Sequence, residues 1–418
     1  MTIRRREFLL NGTIAALWYS YARALAADEP RSAVTNCWEQ VKPKKIDLEE
    51  ICVFRGRPGA AYNHHHQVLF HENRLYVSWS DGIKNEDNPG QHMLLSTSDD
   101  DGANWSSEST VTPVPPEKTS VFTAMGIRAC KNDLIAYYGH YAYTGLVFDG
   151  SDTPLTHFAP RYRDDPHKWV HRDTYTEARI SKDRGATWGK PIRVIDKFVP
   201  NLRPFATLSG RLIIPGNITF PYTDDPAGIH GWKFAGIPRL PRWVVDDPEG
   251  FHKACAFRHD PRNYCEASFF QTDDGIIHMM LRTVPLPDEK HDGLLALTES
   301  RDDGRTWSEP LLTGYTDCSC RFQFGRLPDG RYFGLSCPDP KGPRSPLVLS
   351  TSADGVRFDR NYILGDLRGL RPRMPGGDKD HGAYGYPSCD IANGKMYIVY
   401  SRTKEDIYFT KLDLTQLV

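Results

Sequence analysis

The chain has 418 residues, a formal net charge of −1 and 25% charged residues. This length allows two or three average domains or one large all-β unit. The near-neutral charge argues against a nucleic-acid partner. The nine cysteines form no C-x-x-C pair and no zinc-finger spacing. We therefore expect no nucleic-acid partner, no metal site and no cofactor.

The N-terminal segment has the features of a signal that is removed from the mature protein. Arg4–Phe8 (RRREF) resembles a twin-arginine export signal, an apolar stretch runs over Thr13–Trp18, and Ala24–Ala26 is a small-x-small cleavage pattern. A short cytosolic helix or a membrane anchor is the alternative, although the apolar stretch is too short to span a bilayer comfortably. We expect residues 1–26 to be an export signal and the mature chain to start near Ala27. The protein would then be periplasmic or extracellular, with no later segment that spans a membrane.

One octapeptide recurs along the chain with the pattern S-x-D-x-G-x-x-W. The copies, the last with Phe in place of Trp, are Ser98–Trp105, Ser181–Trp188, Ser300–Trp307 and Ser352–Phe358. The Ser and Asp side chains can accept backbone N–H hydrogen bonds within a turn, and Gly allows a positive φ. The Trp is expected to cover the apolar side of the next strand. Each copy follows a β-rich run, so the pattern predicts a repeated hairpin.

These copies resemble the Asp boxes of the sialidase (neuraminidase) superfamily, and we call them Asp boxes. The resemblance implies an all-β fold, a six-bladed β-propeller of sialidase type, in which the boxes have a structural role. Further strand-turn-strand units are predicted at Arg74–Trp79, Arg211–Pro215, Ile276–Leu281, Arg331–Leu335 and Lys395–Tyr400. At about 40–50 residues for each four-stranded blade, the chain after residue 46 has room for six blades.

The predicted domain organisation has three parts. After the signal, residues 27–46 are expected to form an N-terminal lead-in, and residues 47–418 the propeller. The stretch near 222–262 is the longest irregular segment. We expect it to be an insertion over one face of the propeller.

Three further segments resemble sialidase blocks and lie in the same order as in that family. Residues 264–282 resemble the block with a catalytic Glu and a substrate-binding Arg, residues 337–344 the block with another Arg, and residues 383–389 the block with a Tyr nucleophile. The loop after Ile83 lies where sialidases place the acid, for which we favour Asp87 over Glu86. The residues that the resemblance implies are the nucleophile Tyr386, its base Glu266, the acid Asp87 and the carboxylate-binding Arg282 and Arg344.

These residue types suit a sugar that carries a carboxylate on its anomeric carbon. Guanidinium forks bind a carboxylate in a bidentate manner, which gives Arg282 and Arg344 a role. A carboxylate nucleophile would be repelled by the substrate, so sialidases use Tyr. A phenol needs a base to become nucleophilic, and a separate acid must protonate the leaving oxygen. Salt bridges or polar packing at the propeller centre are the structural alternatives for these residues.

The first arginine motif of the family is changed in this chain. Asn63 stands at the Arg position, Asp81 stands at a further Arg position, and three histidines follow Asn63. On a regular strand His64 and His66 share one face and His65 points to the other. We expect a general base or sugar ligands here, with polar packing as the alternative. The candidate substrate-binding residues beyond the two arginines are Asn63, His64, His65, His66 and His140.

Three functions are compatible with this sequence. The first is an exo-acting glycoside hydrolase of sialidase type that removes a terminal acidic sugar from a glycan, working without a cofactor. The second is a polysaccharide lyase on uronic-acid glycans, in which His or Tyr abstracts the C5 proton; the change at Asn63 favours it. The third is a non-catalytic glycan-binding propeller, because fold alone does not give function.

Overall fold

The computed structural model describes residues 32–86, 90–115, 120–143, 171–196, 198, 202–238, 263–284, 293–374 and 382–417. Within these residues the regular structure is β, apart from one turn of 3₁₀ helix at Leu414–Gln416. The expected all-β class is therefore confirmed. None of the helical structure in the described part of the chain has the length and apolar character of a membrane span. The predicted export signal, residues 1–26, lies outside the described residues.

The strands follow one another along the whole described chain. They are β1 Lys44–Lys45, β2 Glu50–Phe54, β3 Tyr62–His71, β4 Arg74–Gly82, β5 His92–Ser98, β6 Ser109–Thr110, β7 Ser120–Cys130, β8 Asp133–Tyr143, β9 His171–Ser181, β10 Ile192–Asp196, β11 Phe205–Ala206, β12 Leu212–Ile213, β13 Tyr222–Thr223, β14 Asn263–Gln271, β15 Ile277–Val284, β16 Leu294–Ser300, β17 Leu311–Thr316, β18 Gln323–Arg326, β19 Tyr332–Ser336, β20 Leu347–Ser352, β21 Arg360–Gly365, β22 Tyr384–Ala392, β23 Lys395–Arg402 and β24 Asp406–Asp413.

Consecutive strands pair antiparallel in six separate sheets of the described chain. The first sheet is β3–β6, the second β7–β10, the third β11–β13, the fourth β14–β17, the fifth β18–β21 and the sixth β22–β24. The predicted strand-turn-strand units contain β4, β12, β15, β19 and β23. The β22–β23 turn has Asn393 and Gly394 at φ 52° and 72°. Two successive positive φ angles match the right-handed twist of the flanking strands, which is why Asn-Gly suits this position.

The chain before the first sheet is hydrogen-bonded to the fifth and sixth sheets. β2 pairs with β24 and completes the sixth sheet, and β1 pairs parallel with β21 at the edge of the fifth. Earlier residues are bonded too, since Gly314 N donates to Val34 O over 2.7 Å and Phe358 N to Thr35 O over 2.8 Å. The predicted insertion begins inside the third sheet, because Tyr222–Thr223 is β13. Residues 239–262 lie outside the described residues.

The Asp boxes form the turns after the third strand of four sheets. In the first box, Ser98 Oγ accepts from Gly102 N over 2.9 Å, and Asp100 Oδ1 accepts from Asn104 N over 2.9 Å. Gly102 has φ 85°. The same bonds recur in the other boxes, so the predicted turn chemistry is confirmed. We call the end of a sheet that carries the box position its turn end, and the opposite end its site end.

The aromatic residues of two boxes contact the preceding sheet. The Trp105 ring lies 5.1 Å from Phe409 of the sixth sheet, and the Trp307 ring lies 4.7 Å from Phe220, which follows β12. The expected next strand takes part as well, because Leu312 of β17 belongs to the same buried cluster as Trp307. The short turn brings the indole over the edge of its own sheet, where the neighbouring sheet offers apolar surface.

The apolar core is divided into clusters between neighbouring sheets. Within the described residues, separate buried clusters join the first sheet to the second, the second to the third, the third to the fourth, the fourth to the fifth and the fifth to the sixth. A sixth cluster joins the sixth sheet back to the first, with Val77 and Trp79 packed against Val399 and Phe409. The interfaces therefore follow the order of the sheets and return to the start.

Candidate active site

Three first strands have the same irregularity near the site end. In β3, β14 and β22 the pairing register shifts by one residue, after His64, Cys265 and Gly385 respectively. The residue that follows each shift has a left-handed backbone, with φ 53° at His65, 49° at Glu266 and 48° at Tyr386. A bulge redirects a side chain away from the regular alternation. A non-glycine residue in this region costs about 1–3 kcal/mol, and such strain clusters at functional sites.

Two of these bulge residues form the centre of the site. The Tyr386 hydroxyl donates a hydrogen bond to Glu266 Oε1, and Arg282 Nη1 donates to Glu266 Oε2. Glu266 N donates to Asn217 Oδ1 over 3.1 Å, which fixes the bulge from the third sheet's side. Both Tyr386 and Glu266 are buried. The structure thus brings together the predicted nucleophile, its predicted base and one predicted arginine.

The environment keeps the Tyr386 phenol protonated at neutral pH. Burial raises the pKa of Tyr386 well above its usual value, and the negative charges of Glu266 and Glu86 act in the same direction. The guanidinium groups of Arg282 and Arg344 oppose this effect. A phenol of this kind needs a base at hydrogen-bond distance before it can attack an electrophile. Glu266 occupies that position.

Two further guanidinium groups lie near the Tyr386 ring. The central carbon of Arg344 is 5.7 Å from the ring centroid, and that of Arg321 is 4.6 Å from it. Arg321 Nη2 also donates to His66 O over 3.2 Å. Sequence reasoning missed Arg321, because it precedes β18 outside the boxes and outside the segments that resemble sialidase blocks. Its proximity to Tyr386 arises only when the fifth and sixth sheets meet.

The three histidines surround Tyr386 from the first sheet. The His64 ring lies 4.0 Å from the Tyr386 ring and the His65 ring 5.6 Å from it, while His66 Nε2 donates to Tyr386 O over 2.8 Å. The expected alternation of faces was wrong, because the bulge at His65 redirects its ring to the side where His64 lies. Burial, followed by the Lys404 charge, lowers the pKa of His64 well below its usual value. His64 is therefore neutral.

The loop after β4 is connected to the site through Glu86. Its Oε1 lies 3.0 Å from His65 Nε2, and its Oε2 accepts from Lys404 Nζ over 2.6 Å. Burial raises the pKa of Glu86, but Lys404 and His65 outweigh it and hold the pKa well below its usual range. Glu86 is therefore ionised and poorly suited to protonate a leaving group. The predicted acid Asp87 lies outside the described residues.

The remaining predicted residues are placed around this centre. Asn63 is fully buried; its Nδ2 donates to Ala60 O and Glu405 O over 3.0 and 2.8 Å, and its Oδ1 accepts from Trp79 Nε1. These bonds disfavour a substrate contact for Asn63. His140 stacks 4.3 Å from Tyr175 near the site end of the second sheet. Within the described residues, no group of three His, Cys, Asp or Glu side chains is placed to hold a metal ion.

Solved structures with the same fold include several sialidases. A protein of unknown function from Dyadobacter fermentans is 15% identical, with a TM-score of 0.59 and coverage of 87% of this chain and 98% of that one. A mutant of the NanB sialidase from Streptococcus pneumoniae is 14% identical with a TM-score of 0.59, and 90% of this chain covers 71% of it. Trypanosoma rangeli sialidase is 14% identical with a TM-score of 0.59, and 88% of this chain covers 60% of it.

At these identities the likeness establishes a sialidase-like fold and nothing further about activity. The sequence profile of the BNR repeat-like domain matches residues 73–398. The chain therefore belongs to this family. No curated protein sequence is significantly similar to the chain.

Proposed function

We propose that the protein is an exo-acting, retaining glycoside hydrolase of sialidase type that removes a terminal acidic sugar from a glycan. The observation that carries the proposal is the hydrogen-bonded chain Tyr386–Glu266–Arg282 on two bulges from different sheets. A neutral phenol can approach an anionic sugar without charge repulsion, while a carboxylate cannot. The NanB and Trypanosoma rangeli relatives carry the name sialidase.

The contacts suggest how the residues divide the work. Glu266 takes the proton of Tyr386 as the phenolic oxygen attacks the anomeric carbon, and Arg282 holds Glu266 in place. Arg344, beside the Tyr386 ring, is the candidate for the sugar carboxylate. Asp87 remains the proposed acid for the leaving oxygen. Water then releases the sugar from Tyr386 with the same anomeric configuration, because two displacements occur at one carbon.

We also propose that the six sheets are blades of one closed propeller. Apolar clusters join each sheet to the next and the sixth to the first, as a ring requires. Bulges on three first strands lie at the site end, which supports a reaction site at the centre of the proposed ring. Export by the twin-arginine route, to the periplasm or beyond, remains part of the proposal.

The experiment is release of 4-methylumbelliferone from its N-acetylneuraminic acid glycoside by the wild type and Tyr386→Phe. We expect kcat to fall at least about 10³-fold in the variant. The matched control is Tyr138→Phe, which removes a hydroxyl that donates to Glu177 Oε2 over 2.9 Å within the second sheet. Its kcat should equal that of the wild type. Full activity of Tyr386→Phe would refute the nucleophile, and no release by the wild type would reject this substrate.

The second candidate is a lyase on uronic-acid glycans, and the contact of His64 with Tyr386 favours it. The His64 ring lies 4.0 Å from the Tyr386 ring, so both residues that could abstract a proton stand together. A lyase product contains a C4–C5 double bond that absorbs ultraviolet light, and a hydrolase product does not. Incubation with uronic-acid polymers therefore separates the two activities. Binding without any product would indicate a glycan-binding protein.

A further inference from the structure

The loop between β17 and β18 brings a serine hydroxyl into the guanidinium fork of Arg282. Ser319 Oγ accepts from Arg282 Nε over 3.1 Å and from Arg282 Nη2 over 2.9 Å. The remaining terminal nitrogen, Nη1, donates to Glu266. All three nitrogens of Arg282 are therefore engaged within the protein. Arg282 and Ser319 are both partly exposed, so the contact lies at the surface of the site.

Ser319 is held in this position by its own loop. Its backbone N donates to Asp317 Oδ2 over 2.7 Å, and its φ is 62°. Asp317 is fully buried. The Ser319 carbonyl also accepts from Arg344 Nη2 over 3.2 Å. One residue thus bonds to both arginines that the sequence assigns to carboxylate binding, and its conformation is set before any sugar arrives.

The edge formed by Nε and Nη2 is one of the two forks with which arginine binds a carboxylate in a bidentate manner. Ser319 Oγ occupies this fork, and Glu266 takes a bond from the other side of the same group. A sugar carboxylate that approaches this fork of Arg282 must displace a hydroxyl that is already positioned. Arg344 differs, because within the described residues its hydrogen bond uses Nη2 and leaves Nε and Nη1 unengaged.

We propose that Ser319 is a specificity-determining residue, which closes Arg282 to the substrate and leaves the sugar carboxylate to Arg344. This inference rests on the proposed function of the site. Arg282 then serves Glu266, and through it Tyr386, instead of the substrate. With Asn63 at the remaining arginine position and Arg321 fully buried, the acidic sugar is bound by Arg344. The site therefore favours sugars whose binding depends on their hydroxyl groups as much as on their charge.

The test measures binding separately from turnover. Isothermal titration in the Tyr386→Phe background uses N-acetylneuraminic acid and D-glucuronic acid as acidic ligands and D-galactose as the neutral one. Loss of the competing hydroxyl in Ser319→Ala should lower the Kd of an acidic ligand about tenfold and leave the neutral one unchanged, since bonds to charged groups are strong. Ser319→Gly, which suits φ 62°, should behave alike. Ser209→Ala, at a turn end, is the control.

The outcomes separate this inference from the proposed function. An unchanged or higher Kd for the acids in both Ser319 variants, with native thermal unfolding, would overturn the role of Ser319. If Tyr386-dependent hydrolysis is nevertheless present in the otherwise wild-type chain, the proposed function stands. Absence of acid binding in every variant, together with absence of hydrolysis, would overturn both.

Discussion

The two ends of the sheets are stabilised in different ways. At the turn end each Asp box contains its own partners, as in the bond from Gly102 N to Ser98 Oγ, four residues away. At the site end the partners come from other sheets, since Tyr386 and Glu266 are 120 residues apart and His66 and Tyr386 are 320 apart. Both ends contain left-handed backbone, and at the site end it includes the buried Glu266 and Tyr386.

We infer that residues at the turn end mainly stabilise the fold, whereas residues at the site end provide functional groups. A box is a local structure whose loss weakens one turn and the contact with the preceding sheet. A bulge residue such as Glu266 depends on the assembled molecule and contributes a functional group at the cost of strain. Substitutions at the turn end should therefore change unfolding, and conservative substitutions at the site end should change catalysis. Three predictions test this separation.

The largest expected effect is on catalysis. Glu266→Gln keeps the shape of the side chain but removes the base that faces Tyr386, so kcat should fall about 10²–10⁴-fold. Initial rates with a fluorogenic sialoside measure it. Glu177→Gln, which changes the partner of Tyr138 in the second sheet, is the control and should keep the wild-type rate. A Glu266→Gln enzyme of normal activity would remove the distinction between the two ends.

The next effect is on stability at the turn end. In Gly102→Ala the new Cβ would lie 2.2 Å from the Phe409 ring, at φ 85°. We expect a loss of about 2–4 kcal/mol of unfolding free energy, because overpacking and a positive φ add together. Gly275→Ala has the same φ but open space around it, so it should cost about 1 kcal/mol. Urea unfolding measures both, and equal losses would contradict the packing of the box on Phe409.

The smallest effect is the dependence of stability on pH, which has opposite signs at the two ends. Hydrogen bonds within the boxes lower the pKa of Asp183 to about 2, so its contribution is present above the unfolded value near 4 and is lost as pH falls towards 2. Burial raises the pKa of Asp81, at the site end, to about 7. Asp81 therefore binds a proton more tightly in the folded state, and its stabilising contribution is lost as pH rises from about 4 to 7.

Thermal unfolding of two single variants measures the contributions of Asp183 and Asp81 separately. Asp183→Asn should flatten the decline of Tm below about pH 4, and Asp81→Asn should flatten the decline between about pH 4 and 7. Each variant serves as the control for the other, because the two windows do not overlap. The same slope in a variant and the wild type would show that the group in question does not govern that window.

The turn end could be read from the sequence because its information is local. The spacing within Ser98–Trp105 specifies the acceptors, the glycine and the aromatic residue of one turn. The contact of Trp105 with Phe409 could not be predicted from the sequence, because Phe409 belongs to another sheet. Strands beside Asp-Gly and Asn-Gly turns could also be predicted from the sequence, as β15 and β23 show. The prediction of a propeller rested on the resemblance of the Asp boxes and on the length of the chain.

The candidate site could be predicted from the sequence only in part. Glu266 and Tyr386 were assigned by resemblance and lie together, whereas Arg321 and Ser319 carry no local signal. The three bulges share one geometry, because in each first strand the residue with left-handed backbone stands two positions before the residue at which pairing resumes. Tyr264–Ser268 and Tyr384–Ser388 share a Tyr and a Ser, but Asn63–Gln67 has neither, so this alignment does not extend to His65. The simple alternation used for the histidines therefore missed the bulge at His65.

The pairing of β2 with β24 has a consequence for the order of assembly. Thr410 Oγ1 donates to Glu49 O, a residue 361 positions earlier in the chain. Contacts of such sequence separation form slowly, because loop closure must precede them. The sixth sheet contains this closure and also Tyr386, on β22. We therefore expect catalytic competence to emerge only with the last folding event, after most of the β-structure has already formed.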